Sequence, residues 1–166
     1  MGRIGSLPMS ETVSIRIRPA TPGDTSALAS LFLEVRLLTF PWLDPAGFHL
    51  ADFTTQTDGE FVQLAEDGQG RPLGFISVWV ASGFIHHLFV SPSSQRQGIG
   101  RQLLKSLEPW LPPPWRLKCQ VANTSAVGFY RHMGWNELAR ANDGQGPYIL
   151  LEYCSPPPVL SPSPYL

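Results

Sequence analysis

The fold of this chain is decided by one stretch, Leu88 to Arg101, which reads LFVSPSSQRQGIGR. Its first three residues end an apolar run, as expected of a buried strand. Ser91-Pro92 breaks that strand, and the leucine spacing of residues 98–111 predicts a helix after the polar loop. Glycines let backbone N–H groups approach an anion, and the start of a helix attracts one. The stretch therefore predicts a strand, a phosphate-binding turn and a helix, in that order.

Patterns on either side of this stretch complete an α/β domain. A helix is predicted from Asp24 to the proline stop at Pro41. Strands are predicted at residues 13–18, 61–66, 73–80, 84–90, 117–121, 135–139 and 148–153, with a short helix at 125–133. The aromatic segment 40–53 is either another short helix or a lid.

Length and composition describe one domain, which we place at residues 12–154. The chain has 166 residues, of which 15% are charged, and its formal net charge is -1. It carries no basic stripe for nucleic acid and no apolar run of about 20 residues for a membrane span. Two widely spaced cysteines do not form a metal cluster. We therefore expect a cytoplasmic protein with no nucleic-acid or membrane partner and no metal, and disorder at residues 1–11 and in the proline-rich segment 155–166.

A second motif lies in residues 121–135, which read VANTSAVGFYRHMGW. Asn123 follows a predicted strand, and Phe129-Tyr130 stand in the helix before a glycine and an aromatic residue. Residues 95–100 fit the pattern [QR]-x-x-G-x-[GA]. With both motifs in this order over residues 13–153, the chain resembles the GNAT superfamily of acetyl-CoA-dependent N-acetyltransferases.

The resemblance implies an α/β GNAT fold: a mixed, mostly antiparallel sheet of six or seven strands flanked by about four helices. Its fourth and fifth strands would separate after a bulge, with acetyl-CoA between them as co-substrate. The strand backbone would pair with the pantetheine arm, and the turn would hold the pyrophosphate. The residues implied to bind the co-substrate are Leu88, Phe89, Val90, Gln95, Arg96, Gln97, Gly98, Ile99, Gly100, Arg101, Asn123 and Tyr130.

Two proton transfers are needed, and the sequence offers a candidate residue for each. The resemblance places Tyr130 beside the thioester, where its hydroxyl would protonate the leaving thiolate; a buried core tyrosine is the alternative. An amine like that of lysine has a pKa of about 10.4, so it arrives protonated and needs a base. Successive strand residues point to opposite faces, so at most one of His86 and His87 should face the acceptor. We choose His86, two positions before Leu88, where family members carry an acidic residue or histidine; a packing histidine is the alternative.

The acceptor site is the least diagnostic part of the sequence. Phe40 and Trp42 lie in the segment that covers the acceptor in this family, and with His87 they are candidates for substrate binding; core packing is the alternative. The favoured activity is direct acetyl transfer to the primary amine of a small molecule. Acetylation of a protein N-terminus or lysine, and a non-catalytic acyl-CoA-binding module, remain alternatives. The sequence is compatible with a homodimer and does not identify the amine.

Overall fold

The computed structural model describes residues 14–154, so the segments predicted to be disordered, 1–11 and 155–166, lie outside the described residues. The described chain forms seven strands and four α-helices. In order these are β1 (Arg16–Pro19), α1 (Thr25–Thr39), α2 (Asp52–Gln56), β2 (Phe61–Glu66), β3 (Pro72–Trp79), β4 (Phe84–Val90), α3 (Ile99–Lys105), β5 (Trp115–Gln120), α4 (Thr124–His132), β6 (Asn136–Asp143) and β7 (Gly146–Tyr153). None of these helices is long and apolar enough to cross a lipid bilayer.

The strands form one mixed sheet in the order β1-β2-β3-β4-β5-β7-β6. Every neighbouring pair is antiparallel except β4 and β5, which run parallel. β4 and β5 pair at a single position, Phe84 with Arg116, and then separate. This sheet, with seven strands, confirms the predicted mixed fold of six or seven strands and the predicted splay between the fourth and fifth strands.

Helices cover both faces of the sheet because each inner strand alternates its apolar side chains between two cores. Leu64 and Phe75 pack on the face that carries α1 and α2. Their chain neighbours Ala65 and Ile76 pack on the opposite face, against α3 and α4. The separating strands β4 and β5 therefore lie between two helical layers, and the gap between them is walled by both.

The third helix is shorter than its leucine spacing predicts. α3 ends at Lys105, not at residue 111, and the chain continues through turns in which the Leu107 N–H donates to the Leu104 carbonyl. Leu107 and Leu111 are nevertheless buried. Apolar spacing alone does not distinguish a helix from successive tight turns, since both can return a side chain to the core every three or four residues.

Three strand boundaries also differ from their predicted positions. β1 begins at Arg16 instead of residue 13, and β5 begins at Trp115, two residues early. The last hairpin is longer than predicted, since β6 continues to Asp143, which pairs with Gly146. All of β6 is exposed, so its second half carries no apolar alternation from which a strand could be predicted.

Candidate active site

A cleft of about 440 Å³ opens where β4 and β5 separate. Its walls are the facing stretches of these two strands, residues 85–89 and 117–120. Helix α1 and the segment after it cover one side, α4 bounds another, and the β6–β7 hairpin reaches the rim. Its volume lies in the range of small-molecule sites.

The cleft brings together seven of the sixteen site residues proposed from the sequence. Those that line it are Phe40, His86, His87, Leu88, Phe89, Asn123 and Tyr130. Val90 packs against the core instead, and the turn at residues 95–101 lies beyond the cleft. Trp42 touches the rim only through a hydrogen bond to Gln120. The proton-transfer candidates therefore share one space, with the candidate pyrophosphate turn outside it.

His86 and His87 do not point to opposite faces of the sheet, so that part of the sequence argument is wrong. Ser77 pairs with His87 and the next residue, Val78, pairs with Ile85, which leaves His86 as an extra residue in β4. Such a bulge interrupts the two-residue alternation of a strand. The two imidazole rings consequently lie 3.9 Å apart, centroid to centroid, at an angle of 31°. Both line the cleft.

His87 is a buried neutral histidine. Its Nδ1 lies 2.8 Å from the Ser77 hydroxyl and its Nε2 3.2 Å from Oε1 of Gln56, and its ring packs edge-on against Phe32. Burial lowers the pKa of His87 to about 3, with the positive charges of His86 and Arg36 adding to the effect. Both ring nitrogens are engaged, so His87 supports the cleft wall and is a poor base.

His86 is the accessible histidine of the pair. Its side chain is 41% exposed, and its Nδ1 lies 2.6 Å from Oε1 of Glu60. Glu60, in the turn before β2, is itself buried, with only 6% of its side chain exposed. Glu60 was not predicted from the sequence, because nothing in the pattern of residues 57–61 relates it to His86, 26 residues later.

Among the described residues, Glu60, His86 and His87 also form a group whose donor atoms lie within 4.8 Å of one another, as metal ligands can. Imidazoles that bind one metal ion each direct a ring nitrogen at it in the plane of the ring. The two rings here lie nearly face to face instead. We therefore interpret the group as one suited to proton transfer. The absence of a metal stays a prediction.

Tyr130 is held in α4 between two aromatic rings, those of Phe129 and Trp135, at centroid distances of 5.2 and 5.4 Å. Its side chain is 8% exposed and reaches the cleft wall. Burial raises the pKa of Tyr130 well above its usual value, and Cys119 in the same cleft adds to the shift. The hydroxyl therefore stays protonated and can donate a hydrogen bond or a proton.

Asn123 is the N-cap residue of α4, and its side-chain oxygen accepts a hydrogen bond from the Ala126 N–H at 3.3 Å. This N-cap satisfies one of the amides that the first helical turn leaves unpaired. Asn123 also lines the cleft, and among the described residues its side-chain NH₂ group has no hydrogen-bond acceptor. The position at the end of β5 was predicted, whereas the capping role was not.

The turn before α3 has the open backbone shape that an anion site needs. Gly98 has φ +77° and Arg96 has φ +65°, both in the left-handed region. A Cβ atom added at Gly98 would meet no protein atom within 4 Å, so the space above the turn is open. The side-chain NH₂ group of Gln95 donates a hydrogen bond to the Val90 carbonyl at 3.4 Å, which connects the turn to the end of β4.

One end of the cleft is bridged by polar side chains. The Trp42 indole N–H donates to Oε1 of Gln120 at 3.1 Å, and the Gln120 amide reaches the Gln145 carbonyl at 3.5 Å. Arg36, buried in α1, fixes the segment after that helix through an ion pair of 2.9 Å with Asp52. These contacts hold the aromatic segment as one wall of the cleft.

Solved structures share this architecture. The PaiA N-acetyltransferase from Thermoplasma acidophilum, solved in complex with coenzyme A, superposes with a TM-score of 0.66 at 18% identity, covering 84% of this chain and 98% of that one. A parallel, splayed β4–β5 pair in an otherwise antiparallel sheet, together with this likeness, defines the fold as that of the GNAT class.

Sequence comparison then identifies the family. Residues 27–135 match the acetyltransferase (GNAT) family, so the chain belongs to that family and is an acyltransferase. It is 27% identical over 120 residues to the [ribosomal protein bS18]-alanine N-acetyltransferase of Escherichia coli K12, covering 68% of this chain and 76% of that protein. It is 33% identical over 95 residues to the peptidyl-lysine N-acetyltransferase YjaB of Salmonella typhimurium, covering 56% of this chain and 63% of that one.

Proposed function

We propose that this protein transfers the acetyl group of acetyl-CoA directly to the primary amine of a small molecule. The observation that carries the proposal is the single residue pair between β4 and β5. Beyond Phe84 that separation leaves one edge of β4 without a strand partner, facing a cleft lined by His86 and Tyr130. An unpaired strand edge beside two groups able to move protons suits a substrate that carries amides and a reactive acyl group.

The residues along this edge fit the co-substrate. Backbone groups of residues 88–90 can pair with the amides of the pantetheine arm, which would supply the missing neighbour. The open turn around Gly98 presents backbone N–H groups to a pyrophosphate, and Arg96 and Arg101 add positive charge. Asn123 offers its side-chain NH₂ group to the same arm. Acetyl-CoA supplies an activated thioester carbonyl when bound.

His86 and Tyr130 divide the proton transfers. The amine gives a proton to His86, which frees its lone pair to form a nitrogen–carbon bond at the acetyl carbonyl. As the carbon–sulfur bond breaks, the electron pair leaves on sulfur, and the Tyr130 hydroxyl donates a proton to that thiolate. The bound nitrogen loses its second proton to solvent. His86 then releases its proton and Tyr130 takes one up, so both residues return to their starting forms. The products are the acetylated amine and free CoA.

A small acceptor is favoured by the bridge over the cleft. The contacts from Trp42 to Gln120 and on to Gln145 cross the end at which an extended peptide would enter. Phe40 and Phe48 line the cleft beneath this bridge and offer an apolar wall to the body of an amine.

Acetylation of a protein amine is the second candidate. Two relatives are named for acting on an N-terminal alanine of a ribosomal protein and on peptidyl-lysine. The bridge consists of a few side-chain hydrogen bonds at the protein surface, each contributing only about 1 kcal/mol, so a peptide could displace it.

The test is release of CoA thiol from acetyl-CoA in the presence of small amines, amino acids and peptides with free N-termini or lysines. We expect turnover with a small primary amine, lowered about 100-fold or more in His86→Ala. Turnover only with peptides would move the assignment to the second candidate. No thiol release with any amine, in a protein that binds acetyl-CoA, would contradict the proposed function.

A further inference from the structure

Glu60 is a buried carboxylate that the proposed chemistry does not yet use. It lies in the turn between α2 and β2, and its side chain is 6% exposed. Acidic side chains are almost never buried unless they are paired. Its titratable neighbours are His86 and His87, and no arginine or lysine among the described residues forms an ion pair with it. We therefore look for the partner of the Glu60 carboxylate in the two histidines.

The two oxygens of this carboxylate have different surroundings. Oε1 lies 2.6 Å from Nδ1 of His86. Oε2 is buried, has no hydrogen-bond partner among the described residues, and lies 4.0 Å from Nδ1 of His87. His87 Nδ1 is already bonded to the Ser77 hydroxyl, and its Nε2 to Gln56. The one side-chain hydrogen bond of Glu60 among the described residues is therefore the one to His86.

That contact determines which nitrogen of His86 can act as a base. An ionised carboxylate only accepts hydrogen bonds, so the hydrogen between it and His86 belongs to Nδ1. The lone pair of the neutral ring is then on Nε2, on an imidazole that is 41% exposed and lines the cleft. Without a partner at Nδ1, nothing in the contact would fix the ring or its tautomer.

We propose that Glu60 is a positioning residue that holds His86 in the Nδ1–H tautomer and stabilises its imidazolium. This inference rests on the proposed function, because it makes Nε2 of His86 the atom that takes the amine proton. The proton moves from the amine nitrogen to Nε2, and Glu60 stays ionised and keeps its hydrogen bond to Nδ1. The buried carboxylate then faces a positive ring at the moment when positive charge forms.

Imidazole nitrogen NMR tests the tautomer without any substrate. In the wild-type protein at a pH where His86 is neutral, Nε2 should show the chemical shift of an unprotonated nitrogen. Glu60→Gln should preserve this spectrum, because the amide oxygen still accepts from Nδ1, whereas Glu60→Ala should move His86 toward the Nε2–H form. A wild-type His86 protonated on Nε2, or a Glu60→Ala spectrum identical to wild type, would overturn the proposal even if the protein acetylates amines.

Kinetics tests the role of the charge. Glu60→Gln keeps the shape and the hydrogen bond but removes the negative charge, so we expect kcat to fall about 10- to 100-fold, with the KM for acetyl-CoA unchanged. In a His86→Ala background the same change should lower kcat by less than about twofold, since Glu60 acts only through His86.

Glu66→Gln is the matched control. Glu66 is the buried carboxylate at the other end of β2, where it pairs with Arg18 at 3.0 Å, away from the cleft. Its removal should leave kcat unchanged once the fraction of folded protein is equal. If Glu60→Gln leaves kcat unchanged, the charge of Glu60 does not stabilise the His86 imidazolium. If Glu60→Gln slows the His86→Ala variant as much as the wild type, Glu60 does not act through His86. Either result would overturn the proposal.

Discussion

The two edges of β5 differ in how far they are paired with a neighbouring strand. Toward β7 the strand forms six consecutive residue pairs, from Trp115 with Tyr153 to Gln120 with Tyr148. Toward β4 it forms one. On the paired side, the neighbouring strand β7 contributes fully buried side chains such as Leu151. On the open side, β4 contributes the partly exposed cleft residues Leu88 and Phe89. One strand therefore stabilises the fold along one edge and leaves the other edge for binding.

Leu151→Ala should produce the largest loss of stability. Leu151 is 0% exposed on the paired side, and removing a buried leucine costs about 2–5 kcal/mol of unfolding free energy. Leu88→Ala, on the open side, should cost less because that side chain already contacts solvent. Urea denaturation of both variants measures the difference. Equal losses would contradict the division of roles between the two edges.

His87 should make the protein less stable in acid. Its pKa is lowered to about 3 by burial, against about 6.5 in the unfolded chain. Below pH 6.5 His87 is protonated in the unfolded chain but stays neutral in the folded protein until the pH approaches 3. The unfolding free energy therefore falls as pH falls toward 3, by up to a few kcal/mol. His87→Gln should flatten this dependence between pH 6 and 4. An unchanged slope would show that His87 is not held neutral in the folded protein.

Tyr130→Phe should separate chemistry from binding on the open side. Only the hydroxyl is removed, so the fold and the affinity for acetyl-CoA should be retained while kcat falls about 10- to 1000-fold. Steady-state kinetics and calorimetric titration measure the two quantities. An unaffected kcat with a good acceptor would leave Tyr130 as a packing residue between Phe129 and Trp135.

Gly98→Ala should act mainly on binding of the co-substrate, with a small loss of stability. The left-handed conformation at φ +77° costs an alanine about 1–2 kcal/mol, and the new methyl group enters the open space above the turn. We expect affinity for CoA to fall about tenfold or more. Gly68→Ala, in a turn where added atoms also meet nothing and φ is not positive, is the control that should bind normally. Equal affinity of the two variants would argue against the pyrophosphate turn.

Much of the fold could be predicted because local patterns specify it. The glycine turn after β4, the Asn123-to-Trp135 motif and the alternating strands predicted the element order, and the resemblance to the GNAT superfamily implied the splay; the structure confirms both. Two boundaries were predicted wrongly because the local pattern does not determine them. The turns after Lys105 keep a helical spacing of leucines, and the exposed second half of β6 has no alternation of apolar residues.

The site was harder to predict, because its geometry depends on register. A single extra residue in β4 places His86 beside His87, contrary to the alternation expected of a regular strand. Glu60 meets His86 only because β3 lies between β2 and β4 and aligns the start of one strand with the other. Neither the bulge position nor this alignment is encoded in a short stretch of sequence.

The most direct test of the account measures hydrogen exchange of the amides at residues 88–90 with and without saturating CoA. If the open edge of β4 binds the pantetheine arm, some of these amides should exchange at least about tenfold more slowly in the complex, while those of β5 that face β7 should not change. Unchanged exchange at residues 88–90 in a protein that binds CoA tightly would place the ligand elsewhere and contradict the account.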